Sequence, residues 1–180
     1  MIPLPKNHQS AWICDDVFSL VSGHQASRKN KMARNRLLRE LKEIQKANEQ
    51  DIKLEMVGDT IEDWRAVISG PPGTPYESGK FELVIKCSTN YPMSPPVITF
   101  KTPVFHPNIH FQSGEICLDI LKSEWSPAWS LQTACRAIIS LLTHHNADSP
   151  LNCDAGNLIR CGDMRGFISL AKFYTIELAT

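Results

Sequence analysis

A chain of 180 residues that is 42% hydrophobic and 21% charged has the composition of one soluble domain with a real core, which excludes a disordered or fibrous chain. Its 19 basic and 19 acidic side chains cancel, so the excess positive charge that a nucleic-acid binder needs to displace counterions is missing. No stretch reaches the ~18 apolar residues of a membrane helix, and the first thirty positions lack the pattern of a secretory leader. Neither direct membrane insertion nor secretion is expected.

Residues 1–26 read as an N-terminal extension. Pro3 and Pro5 open it, Ser22 and Gly23 lie near its end, and Ile13, Val17, Leu20 and Val21 place one apolar face on a short helix. A single domain is expected over 27–180. Its first helix is predicted over 27–50, where Ala33, Leu37, Leu41 and Ile44 make one stripe widened by Leu38. Arg28, Lys29, Lys31, Arg34, Arg36, Arg39 and Lys42 are assigned to its outer surface, and seven cations against two acids, Glu40 and Glu43, could meet an acidic partner. Four short strands follow, at 53–57, 64–69, 81–87 and 97–101. Gly58-Asp59, Gly70-Pro71-Pro72-Gly73-Thr74-Pro75 and Ser78-Gly79 supply turns between them, so an antiparallel meander is expected. Tyr91-Pro92-Met93-Ser94-Pro95-Pro96 must be a stiff surface loop, because proline donates no ladder hydrogen bond.

From Thr102 to Ser130 no period is visible, and so long an irregular stretch inside a compact domain points to function. Helices close the chain at 131–144, with Ser130 as N-cap, and at 155–161 and 164–178. Strands grouped together with helices at both ends imply an α+β fold.

The cysteines are Cys14, Cys87, Cys117, Cys135, Cys153 and Cys161. No C-x-x-C pair offers a zinc site, and a chain with this apolar complement does not need disulfides, so free thiols are expected. Cys117 differs from the rest in ending the long irregular loop, nine residues after Asn108. Glu115 and Asp119 flank it and no neighbour in sequence is cationic, so the activated thiolate of a protease is not expected. The setting suits a thiol that holds an acyl group as a thioester and passes it on. Asn108 could donate a neutral hydrogen bond to the oxyanion formed in that transfer.

These residues, in order and spacing, resemble the ubiquitin-conjugating enzyme family. The resemblance covers residues 27–154 and is carried by Gly70-Pro71-Pro72-Gly73-Thr74-Pro75-Tyr76-Glu77, Tyr91-Pro92-x-x-Pro95-Pro96 and His106-Pro107-Asn108. It continues through Gly114-Glu115-Ile116-Cys117-Leu118-Asp119-Ile120-Leu121, Trp125-Ser126-Pro127-Ala128-Trp129 and Asp148-Ser149-Pro150-Leu151-Asn152. It implies that family's fold: an N-terminal helix, a four-stranded antiparallel meander, a long active-site loop and C-terminal helices. It further implies that Cys117 accepts ubiquitin from the activating enzyme. Asn108 then polarises the thioester or orders the loop, and His106 and Pro107 pin the loop. Asp119 orients substrate or ubiquitin's tail. Ser149 fills a gate position where many relatives carry Asp, and a hydroxyl cannot guide a lysine as a carboxylate does. Arg36, Met93, Pro127 and Ala128 match the surface that meets a RING-type ligase, and Trp125 and Trp129 read as core anchors. No metal and no nucleotide cofactor is implied, since no phosphate-cradling glycine-rich loop with lysine occurs and ATP is spent upstream.

Two segments narrow the resemblance. The stretch from Asn108 to Cys117 is one residue longer than usual, and Asp154 to Met164 replaces the usual start of the late helices; both are similar to the peroxisomal branch of the family in fungi. That branch attaches ubiquitin to a cysteine of import receptors so that they are extracted and recycled. It is held at the cytoplasmic face of the peroxisomal membrane by a membrane-anchored peroxin on the face opposite the reactive cysteine, and is otherwise cytoplasmic. Two other readings stand beside it: a general carrier of ubiquitin or a ubiquitin-like modifier, and a non-catalytic adaptor of the same fold.

Overall fold

The structure is a computed structural model that describes the backbone at residues 14–47 and 49–179 and the side chains from residue 30 onward, residues 48 and 180 excepted. Helix α1 runs Cys14–Ala47, followed by strands β1 (Ile52–Met56), β2 (Asp63–Ser69), β3 (Lys80–Lys86) and β4 (Val97–Phe100), then helices α2 (Leu131–Thr143), α3 (Cys153–Arg160) and α4 (Met164–Leu178). The four strands form one antiparallel sheet in the order β1-β2-β3-β4, the meander that the turn residues imply.

Period-two alternation sets the register. Trp64, Ala66 and Ile68 of β2 lie opposite Ile85, Leu83 and Phe81 of β3, and all six are essentially inaccessible. A one-residue slip would turn this whole set to water. The buried face packs against Ala33 and Leu37 of α1 and against Leu131, Ala134, Cys135, Ile138 and Leu142 of α2. Ser130 caps α2 as expected: its side chain accepts from Thr133 N, and Thr133 returns the bond to complete a capping box. Helix α3 starts two residues before the predicted position, because the Asn152 side chain caps it by accepting from Ala155 N at 3.2 Å.

Two expectations are corrected in α1. The predicted break near Ser22 and Gly23 is absent, and one helix crosses positions 26 and 27 unbroken. A glycine costs a helix only about 1 kcal/mol relative to alanine, which is too little to end a long one. Ile13 lies outside the described residues. The helix also stops at Ala47 rather than reaching Gln50.

Glu40 is a buried charge that the helical pattern did not single out. It is 2% exposed. Its carboxylate accepts from Arg36 Nε at 2.5 Å, from the Tyr91 hydroxyl at 2.7 Å and from Leu131 N, the first residue of α2, at 2.8 Å. A buried carboxylate is tolerable when charge-assisted bonds and a helix N-terminus surround it. The spacing Ala33, Leu37, Glu40, Ile44 places it on the apolar stripe, which is the signal that was available.

Candidate active site

The stretch between β4 and α2 has little regular structure but is not loose. Phe100 N donates to Gly114 O at 2.9 Å, and single-residue bridges join Thr99 to Glu115 and Ile109 to Ile116. Gly114 has φ +70°, and a Cβ there would lie 1.9 Å from the Phe100 carbonyl oxygen. Only glycine permits both that backbone and that approach. Ile109 and Ile116 are buried, which pins the tip of this hairpin to the core.

The hairpin closes the nine-residue gap between Asn108 and Cys117. Cys117 N donates to the Asn108 carbonyl at 2.8 Å, so the two stand opposite one another, with Cys117 half-buried. Asn108 is 5% exposed, and both ends of its amide are engaged. Nδ2 donates to Asn146 O at 2.8 Å, and Oδ1 accepts from Asn146 N at 2.9 Å. The Pro107 carbonyl accepts from Leu151 N at 2.8 Å and Asn152 N at 3.1 Å. The connection from α2 to α3 is therefore stitched to residues 107 and 108 twice, and Ser149 is exposed between the stitches.

His106 is 1% exposed, and its Nδ1 accepts from Asn108 N at 3.1 Å. The ring proton therefore belongs on Nε2, which faces the Leu141 carbonyl without making a full hydrogen bond. Burial, aided by the nearby His145, pushes the His106 pKa down to about 3, and the Leu141 carbonyl offsets this only in part. A neutral, sealed ring pins the loop and is no general base. The unfolded ring takes a proton that the folded ring refuses, so stability is complete above about pH 6.5 and falls as pH drops towards 3. We expect this residue to cost the protein about 2 kcal/mol between pH 7 and pH 5. Denaturant midpoints at the two pH values, compared between the protein and His106→Gln, measure it; identical slopes would contradict it.

Asp119 is exposed and opens a short 3-10 turn, Asp119–Leu121, whose first carbonyl accepts from Lys122 N and Glu124 N at 2.9 Å each. Lys122 Nζ reaches back to Glu115 at 3.5 Å, so the loop holds a cation that sequence neighbourhood did not suggest. Among the described residues the cysteines are free. Burial pushes the Cys87 and Cys135 thiols up to about 12, reinforced by nearby carboxylates, while Cys153 and Cys161 are exposed. Accessibility alone thus leaves three thiols among the described side chains, and of these only Cys117 lies in the stitched loop.

A second assembly surrounds Glu40. Arg36, 26% exposed at its side chain, also donates Nη2 to the Trp129 carbonyl at 2.9 Å. Trp125 donates Nε1 to the Pro92 carbonyl at 2.7 Å, with its ring against Tyr91. Trp125 is half-buried and packs against the core, as expected, whereas Trp129 is half-buried outside the core cluster and contributes its carbonyl to Arg36. These bonds tie together the segments that carry Arg36, Met93, Pro127 and Ala128. Met93, Pro127 and Ala128 are exposed, whereas Arg36 is largely engaged with its own chain.

Comparison with known proteins agrees with this geometry. The family model for the ubiquitin-conjugating enzyme matches residues 36–175. The chain is 53% identical over 145 residues to "Protein PEROXIN-4" of Arabidopsis thaliana, covering 79% of this chain and 92% of that one. It is 57% identical over 141 residues to "Ubiquitin-conjugating enzyme E2 pex4" of Dictyostelium discoideum, covering 78% and 95%. The crystal structure of H. polymorpha Pex4p in complex with the soluble domain of Pex22p superposes with a TM-score of 0.79 at 34% identity, over 82% of this chain and 98% of that one. A match across most of the domain, together with relatives of this identity, means that the chain belongs to the ubiquitin-conjugating enzyme family, transferases that act through a cysteine thioester.

Proposed function

We propose that this chain takes ubiquitin from the activating enzyme as a thioester on Cys117 and delivers it, with a RING-type ligase seated on the Arg36, Met93, Pro127 and Ala128 side, to peroxisomal import receptors at the cytoplasmic face of the membrane. One observation carries the chemistry: a half-buried Cys117 is bonded through its own N–H to Asn108, in a loop whose far side is stitched to the α2–α3 connection. That frame holds the thiol and the amide in fixed relation, which is the preorganisation that acyl transfer uses.

A hydroxyl at Ser149 cannot take a proton from an incoming lysine. A cysteine acceptor, with a reference pKa near 8.5 against about 10.4 for lysine, needs less such help. This favours a thiol acceptor, as the reading of import receptors requires. Asp119, exposed two residues after the thiol, is left to orient the acceptor or ubiquitin's tail.

The peroxisomal part rests on the names of relatives and on the complex that H. polymorpha Pex4p forms with Pex22p. No helix among the described residues is long and apolar enough to cross a membrane, so in this reading a membrane-anchored peroxin supplies the attachment. Helix α4 offers such a partner a surface: it buries Phe167, Ala171 and Thr175 and leaves Ile168, Phe173 and Ile176 between 45% and 60% exposed. Deleting the anchor should move the protein from the peroxisomal to the soluble fraction on cell fractionation. Retention on the organelle without any partner would contradict recruitment.

A further inference from the structure

A cleft of about 340 Å³ opens beside the reactive loop. Its floor is aromatic: Tyr174 of α4 stacks on Phe105 at 5.7 Å and meets Phe111 edge-on at 4.9 Å. One wall is the hairpin tip from His110 to Gln112, and the other runs from Leu151 into the first turn of α3. His110 is occupied within its own wall, its Nδ1 accepting from Ser113 N at 3.1 Å. Among the described residues that line the cleft, Asp154 is the one acidic side chain, and no lysine or arginine joins it.

Both walls are extensions of the site already described. The α3 wall hangs from the Pro107 carbonyl through Leu151 N and Asn152 N. The hairpin wall begins two residues after Asn108, which faces Cys117 across the bridge. With at most about 3.6 Å per residue along the chain and about 5 Å across a strand pair, His110 lies within roughly 12 Å of Cys117. That span is roughly three or four residues of extended polypeptide. The volume sits at the small end of the range of about 300–1,000 Å³ for ligand sites, so it suits one large side chain and its neighbour rather than a folded partner.

We propose that this cleft seats an aromatic side chain of the acceptor polypeptide, with a lysine or arginine beside it against Asp154, roughly three or four residues from the group that receives ubiquitin. The inference rests on the reading of Cys117 as the thioester carrier. An incoming ring finds Phe111 and Tyr174 already packed to receive it edge-on. Asp154, exposed in the first turn of α3 with no lysine or arginine beside it in the lining, favours a cation over an acid. The cleft thereby selects which cysteine or lysine of a substrate comes within reach of the thioester.

The test uses the full-length protein charged with ubiquitin and a set of synthetic decapeptides, each with one acceptor cysteine. At the fourth residue from the acceptor they carry Trp or Ala, and beside it Arg or Glu. Single-turnover discharge is expressed relative to discharge of the same preparation by free cysteine, so that general losses cancel. The Trp–Arg peptide should outpace the Ala–Glu peptide at least about tenfold, with about threefold of it due to the charge. Asp154→Lys should bring the Arg-over-Glu ratio to one or below and Asp154→Asn should place it between, while Asp59→Lys, in the exposed β1–β2 turn, should retain it. Equal rates for all peptides from a charged enzyme would overturn this proposal alone, as would an Asp154→Lys variant whose ratio is unchanged. Slower charging in that variant with unchanged peptide ratios would assign the cleft to ubiquitin's tail and overturn it too. If no thioester forms on Cys117 at all, the carrier reading falls and this proposal with it.

Discussion

Asn108→Ala should accept ubiquitin at nearly the normal rate and then release it about 100-fold more slowly to acceptor, the loss seen when one oxyanion donor is removed from an acyl-transfer site. In the proposed reading this residue has two jobs that the substitution removes together. Its amide binds both the N–H and the carbonyl of Asn146, and the second hydrogen on Nδ2 remains for an oxyanion. Losing the two bonds to Asn146 should also cost about 1–2 kcal/mol of stability. The two effects separate by measurement: unfolding in denaturant reports the stitch, and single-turnover discharge reports the chemistry. Asn108→Asp sharpens the contrast, since its oxygens still accept from Asn146 N but donate nothing. Discharge at the normal rate in both variants would contradict a catalytic role.

Glu40→Ala should be among the most damaging changes away from the thiol, lowering stability by about 3 kcal/mol. Removing the carboxylate strands the buried Tyr91 hydroxyl and the first N–H of α2 at once. The Arg36 guanidinium loses its partner as well, but at 26% exposure it can turn to water, which keeps the cost below that of a fully buried ion pair. Glu40→Gln retains the shape and one acceptor oxygen, and should lose about half as much. Because the same carboxylate ties α1 to the Tyr91 loop and to the start of α2, ligase-stimulated discharge should fall further than discharge without ligase. Urea unfolding and the paired discharge rates check the two parts. A Glu40→Ala variant as stable as the parent would contradict the hub.

What was legible in the sequence was whatever depends on local period and turn chemistry. Alternation in 64–68 and 81–85 fixed which side of the sheet is buried, and Ser130 announced α2, because both signals are read within a few residues. The unbroken α1 was not legible, since Ser22 and Gly23 weaken a helix without deciding where it ends. Glu40 was hidden because a charged side chain among charged neighbours looks solvated until Tyr91 and Leu131, far along the chain, arrive to satisfy it. The site divides in the same way. The motif around Cys117 and Asn108 is contiguous and could be read, and Gly114 hinted at the tight return between them. The stitches from Leu151 and Asn152 to Pro107 run through main-chain atoms at both ends, and the Asn108 amide meets only main-chain atoms of Asn146, which any residue type supplies, so the α2–α3 connection carries no trace of its partners. The cleft beside the loop depends on Tyr174 folding back onto Phe105 and Phe111, a contact across more than sixty residues that no period encodes.

In the proposed reading one thiol, at Cys117, carries the cargo. Among the described side chains Cys153 and Cys161 are exposed as well, so the decisive measurement must tell these three thiols apart. The full-length protein and its Cys117→Ala, Cys153→Ala and Cys161→Ala variants are incubated with activating enzyme, ATP and ubiquitin, resolved without reductant, and the adduct is mapped by mass spectrometry. A thiol-sensitive ubiquitin adduct that persists in Cys153→Ala and Cys161→Ala and vanishes in Cys117→Ala is the predicted result. An adduct that survives in Cys117→Ala, or no adduct with the intact protein, would contradict it.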